Sequence, residues 1–192
     1  MRDRSLTNAL PESNNPVSKP TVPLKDVTRR HPPSDVITGS AGVSRCGRYR
    51  YWLRRQWSPA LPLCTFIGLN PSTADAQLDD PTLRRCMGFA KQWGYGSLLL
   101  VNIFAWRATD PRDLLSAPDP IGPQTNRWLR RAMRESDLVV AAWGNGGTLA
   151  NRAHIVAKRL KPLHCLGITS LGMPRHPLYC RADCAPIRYL PS

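Results

Sequence analysis

The pattern that most constrains the fold is a buried strand that runs through a polar loop into an amphipathic helix. The stretch "LPLCTFIGL" is almost wholly apolar, which predicts a strand covered on both faces of a sheet. Asp80 followed by Pro81 is typical of a helix N-cap and first turn, and Gly94 predicts the end of that helix. The sequence therefore predicts a strand-loop-helix unit.

The same alternation continues along the chain. Further strands are predicted over "SLLLVNIFAW", "DLVVAAWG" and "LHCLGI", and "RYRYWLRRQW" is predicted to pair with "LPLCTFIGL". Helices are predicted from Pro111, over "GPQTNRWLRRAMRES" and over "TLANRAHIVAKRL". Alternation of this kind predicts an α/β fold, a three-layer α/β/α sandwich with a mostly parallel central sheet of about four core strands.

The first 45 residues differ from the rest in composition. Residues 1–45 are rich in Pro, Ser, Asn and Thr and carry seven basic and four acidic residues with no apolar period, which predicts a disordered basic leader. Residues 46–192 are predicted to form a single α/β domain. The chain has no apolar run long enough to cross a membrane and no apolar stretch typical of a signal peptide at its start, so we expect a cytoplasmic protein without membrane contact.

Charge favours a phosphate-bearing partner. From Cys46 onward the chain has twenty basic residues, seventeen of them Arg, against nine acidic ones. Because the planar guanidinium group binds phosphate oxygens bidentately, this surplus favours a nucleic acid or a nucleotide, with solubility alone as the alternative explanation. The six cysteines include no CxxC pair, so no zinc ribbon is predicted, and His176, Cys180 and Cys184 are only a weak signal for a metal site. The oligomeric state stays open.

Ligands of parallel α/β sheets bind where the strands end, so the residues after each strand are the candidates for a site. In this chain these residues are unusually polar. The candidates are Gly68, Asn70, Pro71, Ser72, Thr73, Asp75 and Asp79 in the first loop; Asn102, Phe104, Trp106, Arg107 and Thr109 in the second; Trp143 and Asn145 in the third; and Arg175 and His176 in the fourth.

Some of these positions also have a structural explanation. Asp80 and Asp110 each precede a proline and are predicted to cap helices. Trp106 and Trp143 would either stack on a base or close the edge of the core. The segment "GNGGT" lacks the lysine of a P-loop and favours a turn over a phosphate cradle.

Long stretches of the sequence resemble a bacterial family. The segments "RYRYWLRRQW", "FIGLNPSTADAQLDDPTLRRCMGFAKQWGYGSLLLVNIFAWRATDP" and "DPIGPQTNRWL" are similar to the family called domain of unknown function 1643, over about residues 46–180. The family name implies no activity.

A second resemblance is to the uracil-DNA glycosylase-like proteins. The segments Gly68–Pro71 and His176-Pro177 resemble, in chain order and separation, the Gly-x-Asn-Pro and His-Pro loops of the mismatch-specific and single-strand-selective branches. The resemblance implies that Asn70 positions the water that attacks the sugar C1′ and that His176 donates a hydrogen bond to the departing base.

The same resemblance implies roles for neighbouring residues. Trp143, Trp106 or Phe104 would stack on the base, and arginines would hold phosphates. Gly68 would let the backbone approach the ligand, and Pro71 would hold Asn70 extended.

The sequence also departs from that pattern. Ser72 stands where those branches usually have Gly, and Leu178-Tyr179 follows His176-Pro177 in place of Ser-Pro. Asp75 and Asp79 are extra carboxylates, which would act as a base or hold a divalent ion.

Three functions follow from these observations. The first is cleavage of an N-glycosidic bond in nucleic acid or a nucleotide, which needs no cofactor. The second is a nucleotide or nucleoside hydrolase or transferase that uses Asp75 and Asp79, with a divalent metal possible. The third is a noncatalytic nucleic-acid-binding protein.

Overall fold

A computed structural model describes residues 37–72 and 78–191 of the chain. Within these ranges the chain forms seven strands and three α-helices, with short 3₁₀ segments at Pro111–Leu115, Asn145–Asn151 and Pro177–Tyr179. None of the helices in the described part is both long and apolar enough to cross a membrane. The elements are β1 (Thr38–Val43), β2 (Arg50–Gln56), β3 (Leu63–Gly68), α1 (Pro81–Gln92), β4 (Ser97–Asn102), α2 (Thr125–Glu135), β5 (Leu138–Ala141), α3 (Arg152–Arg159), β6 (Leu163–Cys165) and β7 (Ile187–Tyr189).

The strands form one mixed sheet in the order β1-β2-β4-β3-β5-β6-β7. The four central strands β4, β3, β5 and β6 are parallel, and β1, β2 and β7 pair antiparallel at the two sides. The predicted α/β class is therefore confirmed. The predicted pairing of β2 with β3 is wrong, because the β3-α1-β4 crossover places β4 against that edge of β3, and Leu53 of β2 pairs with Leu100 of β4.

The folded region starts before residue 46, where the sequence pattern placed the end of a leader. Residues 1–36 lie outside the described part, but Thr38–Val43 pairs with β2 as strand β1. Its sequence, "TGSAGV", shows no apolar period because the strand is held by backbone pairing at the edge of β2. Small residues are required there, since a Cβ on Gly42 would lie 2.0 Å from Nε1 of Trp52.

Apolar side chains form a core on each face of the sheet. Neighbouring residues of a strand point to opposite faces, so Phe66 packs in one core and Ile67 in the other. Helix α1 covers the first core, where the rings of Phe66, Phe89 and Trp93 stack with centroids 5.4 to 6.5 Å apart. Helices α2 and α3 cover the second. Burial on both sides explains the continuous apolar run of β3.

Two predicted helix starts are confirmed, and a third helix begins later in the chain than predicted. Asp80 caps α1 by accepting a 2.6 Å hydrogen bond from Leu83 N, and Asp110 caps the 3₁₀ segment at Pro111. The helix predicted over "TLANRAHIVAKRL" begins only at Arg152. Ala150 and Asn151 have φ values of 49° and 53°, so the backbone turns before α3 starts.

Candidate functional site

The loops that follow β3 and β4 run side by side at the carboxyl edge of the sheet. Ile103 N donates to Gly68 O at 3.0 Å and Phe104 N to Leu69 O at 2.9 Å, which extends the β3–β4 pairing beyond the strands. Ala108 N then donates to Pro71 O at 3.0 Å. Backbone hydrogen bonds therefore fix the first two loops relative to each other.

The loops after β5 and β6 join this edge. Gly144 N donates to Pro174 O at 2.9 Å, and Asn145 Oδ1 accepts a 2.7 Å hydrogen bond from Thr169 Oγ1. Gly146 lies against the first loop so closely that a Cβ there would be 2.4 Å from Leu69 Cδ2. All four polar loops that the sequence singled out are thus linked at one edge.

Asn70 is held in a fixed orientation by the second loop. Its Nδ2 donates to Ala108 O at 2.9 Å and to Pro71 O at 3.2 Å. Because the amide nitrogen is used within the protein, Oδ1 is the group that Asn70 offers to a water or a ligand.

His176 is held as a neutral imidazole. Its Nδ1 accepts a 3.4 Å hydrogen bond from Leu178 N at the start of the 3₁₀ segment, so the ring proton lies on Nε2. Burial lowers the pKa of His176 below its ordinary value, and the negative charge of Asp80 opposes this shift in part. The side chain therefore offers an N–H donor without a full positive charge at neutral pH.

Asp80 connects the Asn70 loop with the His176 loop. Its Oδ2 accepts a hydrogen bond from Ser72 Oγ, its Oδ1 caps α1, and its charge acts on the His176 ring. The third loop also reaches this point, since a Cβ on Gly144 would lie 3.7 Å from Cβ of His176. Asp80 is thus the predicted helix cap, and its negative charge also raises the pKa of His176.

Asp79 braces the loop against the sheet. Its Oδ1 accepts hydrogen bonds from Arg55 Nε at 2.8 Å and Nη2 at 2.7 Å, and the Arg55 side chain is only 3% exposed. This ion pair supplies the structural reason that the sequence did not reveal. Thr73 and Asp75 lie outside the described residues.

Three predicted contact residues are buried in the protein. Trp143 and Phe104 are 1% and 0% exposed, and the Trp143 ring packs edge-on against Tyr189 with centroids 6.0 Å apart. Trp143 therefore closes the core, and neither ring presents a face to a base. Asn102 is 5% exposed, and its Oδ1 would lie 2.7 Å from a Cβ on Gly68, so the glycine is required by this neighbour.

A comparison with known protein families assigns the chain to one of them. The family described as protein of unknown function (DUF1643) matches residues 50–178. The chain belongs to the DUF1643 family. No curated protein matches its sequence significantly. The matched span of the DUF1643 family runs from β2 to the His176 loop, so it contains both Asn70 and His176.

A basic cavity of about 300 Å³ lies beside the Asn70 loop of this DUF1643 protein. The predicted residues Ser72, Trp106 and Arg107 line it, together with Thr109 of the second loop. Sequence reasoning did not single out its other lining residues, Gly47, Arg48 and Ala108. Arg48 precedes a strand at the sheet's side, and no local pattern places it near the loop after β4.

The remaining predicted residues lie elsewhere on the rim. Arg175 is exposed and donates to Ile168 O at 3.2 Å, with its side chain beside Gly167. Asn145 is exposed and holds Thr169. Both therefore order the third and fourth loops.

Proposed function

We propose that this protein cleaves the N-glycosidic bond of a base in nucleic acid or a nucleotide, on a three-layer α/β/α sandwich that resembles the uracil-DNA glycosylases. The observation that carries the proposal is the linkage of a fixed Asn70 amide and a neutral His176 imidazole at one edge of the sheet, with Asp80 between their loops.

The two side chains suit the two halves of the reaction. Water attacks C1′ and gives up a proton to solvent, while the C1′–N bond breaks and its electron pair goes to the base. His176 Nε2–H would donate to the base as negative charge develops there, which a preorganised neutral donor stabilises in the transition state. Asn70 Oδ1 would accept a hydrogen bond from the water and orient its lone pair towards C1′.

The chemistry also limits the substrate. An asparagine cannot take the proton from water as a general base. The site therefore suits a base that is a good leaving group, because such a bond breaks largely before the water attacks. A deaminated or alkylated base meets this condition better than an unmodified purine or pyrimidine.

The two alternative functions would use other groups at this edge. Metal-dependent hydrolysis through Asp79 would take place beside the Arg55 guanidinium, which pairs with Oδ1 of that carboxylate. Binding without catalysis would use the basic cavity beside the Asn70 loop and would need neither Asn70 nor His176. The experiment below separates these functions.

The test is release of a free base from oligonucleotides and nucleotides that carry uracil, hypoxanthine or an alkylated purine, measured by mass spectrometry. We expect Asn70→Ala and His176→Ala each to slow base release by about 10²- to 10³-fold, the usual effect of losing one such group. His154→Ala, at an exposed position of α3, is the matched control and keeps full activity.

Unchanged base release in both site variants would show that the assignment is wrong. Binding of the same probes by the unaltered protein, with no base released from any of them, would favour the noncatalytic function. Release that depends on added divalent metal and survives both substitutions would favour the second enzyme class.

A further inference from the structure

We propose that the basic cavity beside the Asn70 loop is a phosphate-binding subsite for one nucleotide unit of the substrate. We call it the arginine pocket; its lining residues are Gly47, Arg48, Ser72, Trp106, Arg107, Ala108 and Thr109. The inference rests on the proposed function for the identity of the substrate, while the affinity for phosphate rests on the pocket itself.

The described residues that line the pocket carry positive charge. They supply two guanidinium groups and two hydroxyl groups, and none of these described residues carries a carboxylate. Within residues 37–72 and 78–191, the ion pairs of the structure do not involve Arg48 or Arg107. A phosphate supplies the acceptor oxygens that the guanidinium donors and the Thr109 hydroxyl need, while the Ser72 hydroxyl donates to Asp80.

The two arginines are held in register by the backbone. Arg107 N donates to Arg48 O at 2.9 Å, and Arg107 Nη1 donates to Gly47 O at 3.3 Å. Tyr49 and Trp106 form a backbone bridge, and their rings meet edge-on with centroids 5.5 Å apart. These contacts fix the backbone of both arginines relative to each other, and both side chains are exposed.

The pocket is joined directly to the proposed catalytic loop. Ala108 lines the pocket, and its carbonyl accepts the 2.9 Å hydrogen bond that orients Asn70. Ser72 also lines the pocket and donates to Asp80, whose charge acts on His176. A phosphate bound there would therefore lie next to the loop segment that orients Asn70.

The volume of the pocket suits a small ligand or one unit of a larger one. A cavity of about 300 Å³ lies at the lower end of the range for small-molecule sites, which is roughly 300 to 1,000 Å³. It accommodates a phosphate with its sugar, and the half-buried Trp106 provides an apolar wall for the sugar. The phosphate is either the monoester of a free nucleotide or a diester of a polynucleotide.

The test is binding of a fluorescein-labelled single-stranded oligonucleotide, followed by anisotropy, to the unaltered chain and to the Arg48→Gln/Arg107→Gln double variant. We expect the double variant to bind about 10- to 100-fold more weakly, because each arginine loses charge-assisted hydrogen bonds. The slope of log affinity against log salt concentration should also become shallower by about one unit. Arg134→Gln on α2, also at an exposed position, is the matched control and changes affinity less than twofold.

Competition identifies the source of the phosphate. If adenosine monophosphate displaces the probe and adenosine does not, the pocket takes the phosphate of a free nucleotide. If only unlabelled oligonucleotide displaces it, the pocket takes a diester of the polymer. Equal affinity of the double variant and the unaltered chain, or no phosphate-dependent binding by the unaltered chain, overturns the subsite.

The subsite and the proposed function fail in different ways. Asn70→Ala and His176→Ala should bind the probe like the unaltered chain and lose base release, whereas the double arginine variant should raise KM more than it lowers kcat. Weaker binding by the double variant, with no base released by any form, overturns the glycosidic reaction and supports the subsite.

Discussion

Two pairs of arginines show how differently the same side chain is used in this protein. Arg55 and Arg152 are each 3% exposed, and each guanidinium meets acceptors supplied by the fold. Arg55 pairs with Asp79, and Arg152 donates to Ile103 O at 2.9 Å and Asn126 Oδ1 at 2.7 Å. Arg48 and Arg107 are exposed and line a cavity whose other described lining residues carry no carboxylate.

The difference teaches that arginine content does not locate a binding surface. An arginine whose donors are satisfied by buried acceptors stabilises the loop or strand that carries those acceptors. An arginine with open donors beside hydroxyl groups is available to an anion. The comparison makes opposite predictions for the two pairs, namely loss of stability for the first and loss of binding for the second.

The largest expected effect is on the buried ion pair. Asp79→Ala would remove the carboxylate that pairs with the buried Arg55 charge, and we expect the free energy of unfolding to fall by about 3 kcal/mol. Asp183→Ala removes the partner of the exposed Arg181 and is the control, with no measurable change in the denaturation midpoint. Equal effects of the two substitutions in urea unfolding would break the comparison.

A smaller loss is expected at Arg152. Arg152→Ala removes the donors to the carbonyl of Ile103 and the amide of Asn126, which costs about 2 kcal/mol of stability. Arg107→Gln, at an exposed pocket position, should leave stability unchanged and reduce binding. Thermal unfolding measures both. A loss of stability in Arg107→Gln as large as in Arg152→Ala would contradict the distinction.

Asp80 tests how the helix cap and the His176 ring are coupled. Asp80→Ala should cost about 1 kcal/mol, because Leu83 N loses its cap, whereas Asp80→Asn keeps an acceptor and costs less. Both variants remove a negative charge that raises the pKa of His176, so its pKa should fall further. An NMR titration of His176 measures the shift; an unchanged or raised pKa in Asp80→Asn would contradict this coupling.

The smallest effect is expected at Cys46, next to the pocket in sequence. Its thiol is exposed, and hydrogen bonds with the Ser44 side chain and the Arg48 backbone, together with the smaller effect of the Arg48 charge, lower its pKa below the ordinary value. The thiolate is therefore present at lower pH than in an ordinary cysteine, and alkylation should become fast at correspondingly lower pH.

Substitution separates the two causes. Ser44→Ala should move the alkylation profile to higher pH, and Arg48→Gln should move it in the same direction by less, because the Ser44 hydrogen bond is the largest cause and the backbone hydrogen bond of Arg48 survives the substitution. An alkylation profile that is unchanged in Arg48→Gln would show that the Arg48 charge does not lower the pKa of Cys46.

Sequence patterns predicted those parts of the site that depend on near neighbours. Asp80 and Pro81 start α1 as expected, because a cap involves only residues within one helical turn. The rule that parallel strands end at one edge also placed the four polar loops together. The sequence pattern does not decide whether Trp143 is buried, since an aromatic residue after a strand either closes a core or stays exposed. In the folded protein, Trp143 packs against Tyr189 of β7, which lies far along the chain.

The sequence by itself determined the alternation of strands and helices, because burial on one or two faces requires a local periodicity of apolar residues. Only the tertiary structure decided the order of the strands, the pairing of Arg55 with Asp79 and the meeting of Arg48 with Arg107. These contacts join residues far apart in the chain, and they depend on which sheet edges and loop surfaces remain free once the local elements have packed.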